Sequence, residues 1–185
     1  MRRNAGSLAG AAGRLMRRFV SRRLAARVAL AVALAGGLLL AGPLFTQDAP
    51  EQRGLAVWQG MERVVLELSP PSLAAAPRRL EVRQADEPAE WRQGMQYLPA
   101  ATVRAHPIWF QFREPFEPSF HMRNVAIPLD IAWVAPDGEV LAVERMVPET
   151  SGYSPPGPIL YVLETAAGQA ARLGVVPGAR LRAVE

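Results

Sequence analysis

The chain has 185 residues, half of them hydrophobic, with 21 basic residues that are all arginine, 17 acids and no cysteine. That is room for one domain and a leader, and it excludes disulfide frameworks, thiolate metal sites, Schiff-base lysine chemistry and the lysine of a phosphate-binding loop. The formal charge of +4 is misleading: residues 1–47 hold eight arginines and no acid, so residues 48–185 carry thirteen arginines against seventeen acids. An acidic body lacks the basic face that phosphate binding needs, which excludes nucleic acid as a partner.

Residues 1–27 read as a basic cytoplasmic n-region, and residues 28–45 follow with no charge. A helix over that second stretch would be roughly 27 Å long, enough to span a thin bilayer core. The positive-inside rule then places everything after it outside the cytoplasm. No A-x-A-like pair of small residues marks a cleavage site, so the reading adopted is an uncleaved anchor in a bacterial inner membrane with the C-terminal domain in the periplasm. Release to the periplasm after cleavage is the alternative. The route, general export or twin-arginine, stays open. Residues 46–79 read as a linker with one added strand: residues 46–54 are polar and contain Pro50, residues 64–68 are a strand-like apolar run, and PPSLAAAP breaks any regular element.

From residue 80 the pattern is that of a β-rich domain. Residues 80–84 predict a strand. Asp86, Glu87, Pro88 and Glu90 predict a helix start capped by Asp86, running to Gln93 and stopping at Gly94. Met95, Tyr97 and Leu98 are expected to turn inward, and residues 108–112 (IWFQF) to form a strand closed by the loop REPFEP. In FHMRNVAIPLD (residues 120–130), Phe120 and Met122 point one way and His121 and Arg123 the other. Asn124 tolerates left-handed backbone and Pro128 rigidifies the corner. Residues 129–134 should pair with residues 140–147 across Asp137-Gly138, a strong hairpin signal. PETSGYSPPGP (residues 148–158) predicts no regular element, ILYVLE predicts a strand, Thr165 is the expected cap of a short helix ending at Gly174, and Pro177-Gly178 turns into a last strand over residues 180–184.

The FHMRNVAIPLD block, preceded by Gly94-Met95 and followed by YSPPGP, LETAAG and LGVVPG, resembles the domain of unknown function 192 family over about residues 80–185. Val125 stands where many members have Thr, and Ala179 replaces the usual Asp. The resemblance implies a compact, mainly β fold with one or two short helices, a jelly-roll-like β-sandwich, here behind an N-terminal hydrophobic helix. It implies no settled activity.

No catalytic motif is present, and the serines lie in no activated setting. The candidate binding residues are His121, Arg123, Asn124 and Tyr153, an aromatic loop held stiff by proline beside polar strand residues. The function read from this is a ligand- or protein-binding accessory module of the cell envelope, with no cofactor and with partners limited to the membrane, an envelope protein or a small molecule. The alternative is a hydrolase or metal-dependent enzyme using His121, Asp130 and Glu164. In it, acids set in apolar strands would have raised pKa values, and His121 with Asp130 would hold a metal. Against catalysis stand structural roles: Asp130 accepting backbone N–H bonds, Glu164 pairing with Arg123 or Arg145, and Glu144 on a solvated strand face.

Overall fold

The computed structural model describes residues 49–72 and 76–184. The basic n-region and the apolar segment 28–45 lie outside the described residues. Among the described residues no helix is long and apolar enough to cross a membrane. The domain is mainly β, with nine strands and four short helices: α1 (Pro50–Gly60), β1 (Glu62–Ser69), β2 (Arg78–Ala85), α2 (Pro88–Gln93), α3 (Ala100–Ala105), β3 (Ile108–Phe116), β4 (Phe120–His121), β5 (Leu129–Val134), β6 (Val140–Met146), β7 (Ser151–Tyr153), β8 (Ile159–Ala166), α4 (Gln169–Leu173) and β9 (Arg180–Val184).

Seven strands form one sheet in the order β6-β5-β8-β3-β2-β1-β9, and β4 and β7 form a separate ribbon. Only β2 and β3 run parallel, because α2 and α3 fill the crossover between them. The outermost members also meet: Val140 N–H donates to the Ala179 carbonyl at 2.8 Å and Leu181 N–H to the Gly138 carbonyl at 2.9 Å, with Glu139 opposite Arg180. The sheet is therefore a single curled layer closed at its seam, where a jelly-roll-like sandwich would be two stacked antiparallel sheets. Closure brings a backbone oxygen close to Gly138: a Cβ there would lie 2.5 Å from the Leu181 carbonyl oxygen, and φ is +88°. Glycine is required.

Alternation of side chains gives the sheet two apolar faces. One collects Leu66, Val82, Trp109, Ala132, Val140, Leu163 and Leu181, a set drawn from all seven strands, with α4 against it. The other holds Ile108, Phe110, Ile131, Trp133 and Val162 under the first helices and the 120–125 corner. Strand β5, covered on both sides, is buried at all six positions.

Several local expectations change. The polar stretch after Pro50 is helical, because Trp58 and Met61 gain burial on the second face and Arg83 donates to the Met61 carbonyl at 2.8 Å. The added strand is present as β1. Helix α3, unmarked in sequence, buries Val103, and β3 continues through the expected REPFEP loop to Phe116. The loop at 148–158 contains β7, paired with β4. Asp86 does not cap α2: Glu87 does, in a capping box with Glu90. Thr165 is buried within β8 instead of capping α4, whose N-cap is the left-handed Gly168.

Candidate functional site

A cleft of roughly 540 Å³ opens on the second face. Helix α2 supplies Trp91, whose indole N–H is shared between the Ala85 and Gln111 carbonyls at 3.0 and 3.1 Å and is thereby fixed. Strand β3 supplies Phe110, Phe112 and Phe116, and the corner supplies Phe120, His121 and Arg123. The rings pack on one another: Trp91 and Phe112 centroids are 5.4 Å apart, Phe112 and Phe116 4.7 Å, and Phe110 and Phe120 5.4 Å. These tilted and edge-on contacts are geometries that the ring quadrupoles favour.

Glu164 also lines this cleft. In β8 it sits opposite Ile108 on one side and Ile131 on the other, so its neighbours in the sheet are hydrocarbon. It is 4% exposed, and its Oε2 has no hydrogen-bond partner. Burial pushes the carboxyl up to about 8, so it is held mostly as the neutral acid at pH 7. Gly94 makes the wall beside it: a Cβ there would lie 3.5 Å from Phe110 Cζ and 3.8 Å from Glu164 Oε2, and its φ of +46° disfavours a side chain. The Gly94-Met95 pair singled out in sequence is thus part of the cleft.

The corner is held by residues in unusual backbone. Tyr97, Asn124 and Glu149 are the non-glycine residues with positive φ among those described, and they bond to one another. Asn124 N–H donates to Glu149 Oε1 at 2.9 Å, Asn124 Nδ2 donates to the Tyr97 hydroxyl at 2.7 Å, and Tyr97 N–H donates to the Asn124 carbonyl at 2.8 Å. Strained residues persist only where their surroundings over-determine them. Here they present His121 and Arg123 to the cleft. The Arg123 N–H approaches His121 Nδ1 at 3.3 Å while its guanidinium lies 3.1 Å from Nε2. A neutral imidazole has one acceptor nitrogen, so only one of these is a hydrogen bond at a time.

Of the four expected binding residues, His121 and Arg123 line the cleft and Asn124 builds the corner behind them. Tyr153 does not reach the cleft; it pairs with Phe120 and accepts from Val147 N–H at 2.9 Å. The expected trio of His121, Asp130 and Glu164 is divided. Asp130 pairs with Thr165 and Glu164 with Ile131, one register step apart, so the two carboxyls point to opposite faces. Asp130 accepts from Arg145 Nε at 2.7 Å and from the Gly168 and Ala170 amides at 2.6 and 3.3 Å, capping α4 from a distance. Arg145 is thereby engaged, and neither it nor Arg123 pairs with Glu164. Glu144 is exposed. Among the described residues no three His, Cys, Asp or Glu side chains gather as a metal site. The cleft's aromatic floor was missed in sequence, although IWFQF and Trp91 at helical distance from Gly94 were its traces.

Comparison with known proteins agrees with this architecture. The profile of DUF192, described as uncharacterized ACR, matches residues 72–183. A crystal structure of a candidate transcription regulator from Sinorhizobium meliloti is similar at 30% identity and a TM-score of 0.59, over 66% of this chain and 95% of that one. A protein of unknown function from Novosphingobium aromaticivorans gives 30% identity and a TM-score of 0.58, over 66% of this chain and 86% of that one. No curated protein matches.

Proposed function

The chain belongs to the DUF192 family, and from that premise we propose that it is a small-molecule-binding accessory module of the bacterial cell envelope, using the cleft between α2, β3 and the 120–125 corner. The observation that carries the reading is a buried Glu164 carboxyl, its Oε2 without a partner, on an aromatic cleft. An apolar, concave site with a few convergent polar groups is what small-molecule recognition requires, and its volume is in the range of such sites. The eight arginines and the uncharged run of residues 28–45 support anchoring in the inner membrane with this domain in the periplasm. The regulator description of the Sinorhizobium structure is not carried over, because the acidic balance of residues 48–185 opposes DNA. The hydrolase or metal alternative loses support because Asp130 is spent on α4 and turned away from His121 and Glu164.

The test is native mass spectrometry of the full chain, purified gently in a nonionic detergent without chelator, before and after denaturation. An organic mass that is lost on denaturation and absent from Phe116→Ala is the expected result; Phe116 lines the cleft yet is 41% exposed, so its loss spares the fold. A retained mass in that variant would place the ligand elsewhere, and a metal-sized excess would favour the enzyme alternative.

A further inference from the structure

Resting on the reading of the cleft as a ligand site, the geometry points to the class of ligand: a small zwitterionic ammonium compound, its cation among the rings against Glu164 and its anionic group at Arg123 and His121. Three observations carry this. Glu164 Oε2 is buried with no partner, so an apolar ligand would leave it unbonded, whereas a cation recovers a charge-assisted contact. The walls are aromatic, and ring faces attract organic cations in addition to burying their methyl or methylene groups. The basic side chains lining the cleft, Arg92 and Arg123, form no ion pair with a carboxylate among the described residues. That leaves positive charge for an anionic group. A lone metal ion is a poor fit, since among the described residues Glu164 is the one carboxylate lining the cleft and metals want several ligands.

Among the described residues, the titratable and charged groups that line the cleft with Glu164 come from α2 and the corner, while α3, also packed against β8, turns Val103 inward and leaves Arg104 and the adjoining His106 exposed. Arg92 comes from α2, and His121 and Arg123 from the corner. Strands β3 and β5, which flank it in the sheet, present Ile108, Phe110 and Ile131 on its face. Binding of a cation therefore has one consequence that an anion cannot mimic. The ligand takes the carboxylate form, so binding near pH 7 releases a proton, and affinity rises with pH until the free acid, at about 8, is itself ionised.

The experiment is calorimetry on the full chain in nonionic detergent with three probes: choline, which does not titrate, phosphocholine, which adds an anionic group, and phenylacetate as an anion of similar size. Choline should bind up to about tenfold more tightly per pH unit between pH 6 and 8, and its heat should vary with the buffer's ionisation enthalpy. Glu164→Gln, checked for folding by its melting curve, should weaken choline about 10- to 100-fold at pH 8 and abolish the pH dependence. Phosphocholine should bind more tightly than choline, and Arg123→Ala should erase that difference. Phenylacetate binding that exceeds choline and weakens as pH rises would overturn the assignment in favour of an anion held by the neutral acid. No binding of either ammonium probe would overturn it too, while a denaturable organic mass in the native spectrum would leave the ligand site itself standing.

Discussion

Asp130 and Glu164 are buried carboxyls on adjacent strands, one register step apart, and the chain treats them in opposite ways. Asp130, on the face that all seven strands share, receives a guanidinium and two backbone amides. Glu164, on the face under the helices, has Oε2 with no donor. The first carboxylate builds the structure, since it fastens α4 onto the end of the sheet. The second makes no such bond at Oε2, which is why we propose it as a ligand contact. An unmet buried polar group in a native protein asks for an explanation, and its place on an aromatic cleft supplies one.

The largest effect that separates the two is pH. Glu164 has a folded pKa raised above its unfolded value, so its contribution favours the fold fully below the ordinary carboxyl range and is lost as pH rises toward about 8. Wild-type stability in urea should fall by on the order of 1 kcal/mol per pH unit across that window and then level, while Glu164→Gln should remove this component of the slope. Equal slopes in the two proteins would mean that the carboxyl is solvated. Next in size, Asp130→Asn removes charge-assisted bonds and should cost about 2 to 4 kcal/mol at neutral pH, read from the urea midpoint, whereas Glu164→Gln at the same pH should be neutral or stabilising. A mild Asp130→Asn would erase the contrast.

Smaller effects sharpen it. Gly94→Ala adds a methyl beside Phe110 and Glu164 and forces a side chain into backbone with φ of +46°. It should cost about 1 to 2 kcal/mol and weaken ligand retention in native spectra, a pairing of effects that Asp130→Asn need not share. Last, Arg182→Ala removes the exposed partner of Glu67, 3.1 Å away, and should leave the urea midpoint unchanged within error, because exposed ion pairs contribute little.

The hairpin of β5 and β6, the last strand and the helix over residues 88–93 were legible because each carries local chemistry: Asp137-Gly138, Pro177-Gly178, and Pro88 with Glu90. Helices α1 and α3 were not legible. Trp58 and Val103 earn their helical setting only by burial against residues distant in sequence. Closure of the sheet was hidden for the same reason, since nothing at Gly138 announces that Leu181 will approach it. The candidate residues show the limit most plainly. Asp130 and Glu164 look alike in sequence, as acids ending or interrupting apolar strands, and alternation assigns them opposite faces only once the register of β5 against β8 is known. Tyr153 stood out as the lone aromatic of a proline-rich loop, yet its hydroxyl is committed to the Val147 amide.

The contrast between the two carboxyls is tested most directly by a pH titration of the Glu164 side-chain carboxyl carbon by NMR in the full chain, with the resonance assigned by its disappearance in Glu164→Gln. A midpoint near 8 is expected without ligand, and a lower midpoint when choline is bound. A midpoint in the ordinary glutamate range, unmoved by choline, would contradict that expectation, because the cleft would then hold a solvated carboxylate and the contrast with Asp130 would have no functional meaning.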